Sequence, residues 1–120
     1  MSDYLVNRTE RDRPGSAPTD LEVRLEGENS ISLKWGPPML PNAPIDLYEV
    51  EYRYENYNDI TITQMYPVTG SKMSTKIEKL EFYTDYHVSV RACTQTELIE
   101  PLCGNEWATE TVTTGIGGKL

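Results

Sequence analysis

Short runs of apolar and polar residues alternate along this chain with a period of two, and proline, glycine or asparagine breaks each run. Tyr86, Val88, Val90 and Ala92 alternate with His87, Ser89, Arg91 and Cys93. Ile31, Leu33 and Trp35 alternate with Ser30, Ser32 and Lys34, and Tyr48, Val50 and Tyr52 with Glu49, Glu51 and Arg53. Successive side chains of a strand point to opposite faces, so each run reads as a strand with one face buried. A helix would need apolar residues three and four apart, and that spacing is not sustained anywhere.

Weaker runs complete the set: Leu21 and Val23, Ile60–Thr63 and its neighbours, Ser74–Leu80 with Ile77 turned inward, and Thr109–Thr114. Turns are expected at Gly27-Glu28-Asn29, Gly36-Pro37-Pro38, Asn56-Tyr57-Asn58-Asp59, Pro67 and Gly70, with a long loop over 94–106. These seven runs predict an all-β, seven-stranded antiparallel immunoglobulin-like β-sandwich, its two sheets about 10 Å apart. Trp35, Tyr48 and Tyr86 are its largest expected core residues. The eight tyrosines and thirteen threonines agree with a pleated fold.

The boundaries expected are a linker over 1–16, the folded domain over 17–114 and a glycine-rich linker over 115–120. Asn7-Arg8-Thr9 is a glycosylation sequon, usable only outside the cell. Met1-Ser2-Asp3-Tyr4 lacks the basic and apolar regions of a secretory signal, which fits an intracellular protein or a fragment of a longer chain. The net charge of −8 argues against nucleic acid as a partner. No run approaches the ~18 apolar residues of a spanning helix, so direct membrane insertion by this stretch is not expected.

In order and spacing, several motifs together resemble a fibronectin type III domain across residues 17–114. They are Pro18-x-x-Leu21-x-Val23, Ser30–Trp35 followed by Pro37-Pro38, Ile45-x-x-Tyr48-x-Val50-x-Tyr52, and Leu80 followed by Thr84-x-Tyr86-x-Val88-x-Val90-x-Ala92. The resemblance implies a core tryptophan at Trp35 and, at Tyr86, a ring packed inward with its hydroxyl bonded to nearby backbone. The chain departs from the family at Phe82-Tyr83, where Pro-Gly is usual, and in carrying a cysteine pair. The Thr-x-Tyr stretch with its following cysteines is similar to a type III domain of insulin-receptor-like tyrosine kinases.

Cys93 and Cys103 fit a disulfide of a secreted protein, or two unrelated buried thiols. A bridge of this span would remove roughly 3 kcal/mol of unfolded-chain entropy. It would also pin the 94–106 loop, leaving less to order on binding. Asp85, His87 and Ser89 imitate a catalytic set, but alternate residues of an open strand offer neither oxyanion donors nor a water-excluding pocket. His87 and Cys93 are six residues apart on one strand, about 20 Å, too far for a nucleophile–base pair. One histidine and two cysteines match no usual zinc set. No cofactor is expected.

The expected function is a non-catalytic extracellular spacer and protein-interaction module of a cell-surface membrane protein, a receptor or an adhesion molecule. Its partners would be a protein ligand or neighbouring domains of the same chain. Contact surfaces are expected at Met39 and Leu40 in one loop, and at Leu98, Ile99, Leu102 and Trp107 in another. Packing of these residues onto the domain's own end is the plainer alternative. Three rivals stand beside this reading: an intracellular muscle-type or cytoskeletal module with reduced cysteines, a cytokine-receptor module, and an accessory domain of a secreted carbohydrate-active enzyme. Asn105-Glu106-Trp107-Ala108-Thr109 stands where the cytokine-receptor class usually carries Trp-Ser-x-Trp-Ser.

Overall fold

The computed structural model describes residues 13–55, 61–69, 72–94 and 102–115. Its strands are β1 (Thr19–Glu26), β2 (Ser30–Gly36), β3 (Ile45–Glu55), β4 (Thr61–Thr69), β5 (Ser74–Ile77), β6 (Asp85–Thr94), β7 (Leu102–Cys103) and β8 (Ala108–Thr113). They form two antiparallel sheets. One has the order β1-β2-β5; the other runs β4-β3-β6, with β7 and β8 both paired to β6. β7 lies opposite Cys93 and Thr94, and β8 opposite Asp85–Val90, along the β6 edge away from β3. The predicted last strand is β8, β7 is an added two-residue strand within the expected 94–106 loop, and the architecture is the all-β sandwich that the alternation predicts.

The inner faces carry the alternating residues. Ile31, Leu33, Trp35 and Ile77 of the smaller sheet cluster with Tyr48, Val50, Val68, Tyr86, Val88, Val90 and Ala92 of the larger, all buried. Burying each such side chain contributes about 1.5–3 kcal/mol. The Trp35 ring meets Tyr48 edge-on, with centroids 5.4 Å apart and planes at 64°. Tyr54 and Tyr52 tilt against Tyr86 at 4.8 and 6.1 Å. Such offset aromatic contacts add to plain area burial.

Tyr86 also closes the turn that leads into its own strand. The Glu81 N–H donates to the Tyr86 hydroxyl at 2.7 Å. Thr114 braces the same turn, accepting from the Thr84 N–H at 2.9 Å and donating to the Glu81 carbonyl at 2.6 Å. Burial pushes the Tyr86 phenol from its usual 10.0 up to about 12; the Glu81 bond offsets part of that, and the Tyr54, Glu81 and Tyr52 charges add to it. A phenol with a raised folded pKa holds its proton after the unfolded chain has lost it. Its contribution is complete below pH 10 and is lost as pH rises towards 12. Tyr86→Phe should therefore flatten the alkaline fall in stability over that window. At neutral pH it should cost about 1–3 kcal/mol, because the Glu81 N–H loses its acceptor. Urea titrations of both proteins from pH 7 to 12 read both effects.

The structure corrects several details of the sequence reading. Pro67 lies inside β4, opposite Glu49, instead of ending a strand. β4 is an edge strand, which tolerates a residue lacking an N–H. β5 ends at Ile77, not Leu80, and Lys79 turns the chain at φ 60°. Leu102 and Cys103 leave the expected loop to pair with β6. Cys93 is on the outer face, yet it is wholly buried, and Ser89 is nearly so.

Candidate interaction surface

The antiparallel order puts the 37–44 loop and the turn after β7 at one end of the sandwich, where β3 begins and β6 finishes. Met39 and Leu40 protrude from that loop with 80% and 58% of their surfaces exposed. Leu40 is nonetheless fixed through its backbone. Its carbonyl accepts from the Gly15 N–H at 2.7 Å, and its N–H donates to the Ser16 hydroxyl at 2.9 Å. Asn42, in the left-handed region at φ 65°, donates through Nδ2 to the Arg13 carbonyl at 2.8 Å. Residues 13–16, assigned to the leading linker in the sequence reading, thus lie hydrogen-bonded across the loop.

On its other side the same segment meets β7. Arg13 Nη1 donates to the Cys103 carbonyl at 3.1 Å and reaches Asn105 Oδ1 at 3.5 Å. Pro14 is buried. Gly104 lets the strap approach closely: a Cβ there would lie 3.0 Å from the Pro14 carbonyl oxygen and 3.3 Å from its Cβ, so Pro14 would have to shift by a few tenths of an ångström. Cys93 and Cys103 face each other in register and form a disulfide. The bridge ties the two-residue β7 to the centre of the sheet.

The other expected contact residues separate. Leu102 is half-buried in β7. Trp107 is half-buried on the outer face of the larger sheet, where the Arg91 guanidinium stacks 4.5 Å from its ring centre. Arg91 in turn donates through Nε and Nη2 to Glu49 Oε1, at 2.8 and 2.6 Å. Trp107 thus rests partly on Arg91 of its own domain. Leu98, Ile99 and Asn7 lie outside the described residues.

The candidate chemical groups have other occupations. Asp85 accepts from Thr113, His87 Nδ1 pairs with Thr111 Oγ1 at 3.2 Å, and the Ser89 hydroxyl pairs with Thr109 at 3.0 Å. Each bonds across to β8 and none to the next, so they form a cross-strand ladder. The Glu49 carboxylate and the sulphurs of Cys93 and Cys103 lie within 4.8 Å of one another. Both sulphurs are consumed in the disulfide, and a metal would need thiolates.

At the opposite end, Phe82 and Tyr83 are exposed by 50% and 76%. Tyr83 sits at φ 50° and donates its N–H to the Gly115 carbonyl at 2.7 Å. Glycine adopts this backbone without penalty, which accounts for the family's usual glycine here; tyrosine costs roughly 1–2 kcal/mol.

The sequence matches the family model described as "Fibronectin type III domain" over residues 16–102. It is 36% identical over 88 residues to the human phosphatidylinositol phosphatase PTPRQ, covering 73% of this chain and 4% of that protein. It is 36% identical over 90 residues to neogenin of Rattus norvegicus, covering 72% of this chain and 6% of that protein. The chain thus spans only a small part of either relative. Among solved structures, the third fibronectin III domain of human KIAA0343 protein superimposes with a TM-score of 0.73, at 18% identity, over 90% of this chain and 88% of that one. With two sheets, a buried Trp35 and a Tyr86 hydroxyl bonded to backbone, the chain belongs to the fibronectin type III family.

Proposed function

We propose that this domain is a non-catalytic, extracellular spacer and protein-interaction module of a cell-surface receptor or adhesion protein, and that it makes contact through Met39 and Leu40. The observation that carries this is the combination at that loop: two adjacent large apolar side chains are exposed while the Leu40 backbone is held at both its N–H and its carbonyl. Exposed apolar groups on a fixed backbone lose little ordering entropy when a partner covers them. The relatives support a receptor setting, and the disulfide supports an oxidising compartment. In that compartment Asn7 would carry a glycan, and Leu98 and Ile99 are proposed as further contact residues.

The test is a partner-binding measurement on the parent protein displayed on cells, comparing it with the Met39→Ser, Leu40→Ser double variant. A hot spot of this kind is worth about 2 kcal/mol or more, so affinity should fall at least ~30-fold. Unfolding of the isolated domain should be unchanged, since neither side chain belongs to the core. Unaltered affinity would remove the assignment of this loop.

A further inference from the structure

We propose that the Cys93–Cys103 disulfide holds residues 13–16 in place as a strap across the sandwich end. This goes beyond the interaction role and does not depend on it.

The strap has two anchor points. The 37–44 loop supplies one, through the Leu40 carbonyl and N–H and the Asn42 amide. β7 and Gly104 supply the other, through the Cys103 carbonyl that receives Arg13 and the bare Gly104 against which Pro14 packs. The first anchor grows from a loop between two long strands of different sheets. The second rests on a strand of two residues, whose register partners are Cys93 and Thr94 alone. Backbone pairing over so short a length is weak, and it is supplemented by the Gly104 N–H donating to the Ala92 carbonyl at 3.0 Å. The disulfide is the covalent element that keeps β7, and with it the floor beneath Pro14, in place.

Reduction by a dithiol breaks the S–S bond. The two sulphurs take up two electrons and two protons, and the dithiol becomes a disulfide. β7 is then free to leave β6, taking the Cys103 carbonyl away from Arg13 and Gly104 away from Pro14. The strap is then held by the 37–44 loop alone, and its bonds there, Gly15 N–H to the Leu40 carbonyl and Leu40 N–H to the Ser16 hydroxyl, open far more often. Residues 13–16 lose their fixed place across the sandwich end, while the core of Ile31, Trp35, Tyr48, Tyr86 and Val88 stays closed.

Site-resolved amide hydrogen exchange on the whole chain, with and without dithiothreitol, tests this. The Gly15 and Leu40 amides report the strap, and the Val50 and Val88 amides report the core. Reduction should speed exchange at Gly15 and Leu40 by at least about tenfold and leave Val50 and Val88 protected. Unchanged exchange at Gly15 and Leu40 would overturn the proposal. So would an equal rise at all four, because the bridge would then hold the whole sandwich and not the strap. Gly104→Ala, with the disulfide intact, provides a second reading: the crowding at Pro14 should speed exchange at Gly15 without reduction. Full protection in that variant would show that the β7 floor does not hold the strap.

Discussion

Trp35→Ala should lower the unfolding free energy by about 3–5 kcal/mol, a large share of the total for a domain of this size. The indole is 6% exposed and packs edge-on against Tyr48, at the centre of the gap between the sheets. Truncation leaves a cavity that collapses poorly, because the core side chains around it project from two hydrogen-bonded sheets. Some relief comes from the indole N–H: among the described residues it is the one buried side-chain polar atom without a hydrogen-bond partner. Deleting it removes an uncompensated desolvation cost. Trp35→Phe keeps an aromatic ring against Tyr48 and also loses that N–H, so it should cost clearly less than alanine. In urea titrations both midpoints should fall with the slope m unchanged; equal midpoints for the two variants would mean that the ring contact contributes nothing.

Removing the disulfide is expected to have the next largest effect, about 2–4 kcal/mol. The sequence separation is only 10 residues, so the unfolded-state entropy lies at the modest end of the range. The folded state loses more than a crosslink. β7 pairs with β6 through Cys93 and Thr94 only, and Arg13 and Pro14 rest on it. Glu49 and Arg91, beside the sulphurs, retain their own ion pair and keep that part of the sheet face covered. The Cys93→Ser, Cys103→Ser pair should therefore unfold at a lower denaturant midpoint than the oxidised protein, with near-native circular dichroism beforehand. Coincident midpoints would mean that the bridge does not stabilise the fold.

The alternation exposes the larger sheet and the core because a period of two with one buried face leaves a mark at every second residue. Ile31, Leu33, Trp35, Tyr86, Val88 and Val90 could be placed from that mark alone. β4 was only half legible: Gln64 interrupts the apolar face that Val68 belongs to, and Pro67 looks like a stop unless the strand is known to be an edge. The strap was not legible. Arg13–Ser16 show no periodicity, and their partners Leu40, Asn42 and Cys103 are distant in sequence, joined to them by single hydrogen bonds. A signal existed only in hindsight, in Gly104 immediately after a cysteine. The contact between Trp107 and Arg91 was hidden for a related reason. A tryptophan in a loop reads as exposed until the cation beneath it, Arg91, is located on the neighbouring strand.

The same disulfide separates an extracellular module from the intracellular rival, so its state in the protein as cells make it decides between them. Native protein isolated under acid quench, alkylated before and after reduction and weighed by mass spectrometry, should show no alkylated cysteine at first and two afterwards. Two alkylated cysteines in the unreduced protein would contradict the extracellular account.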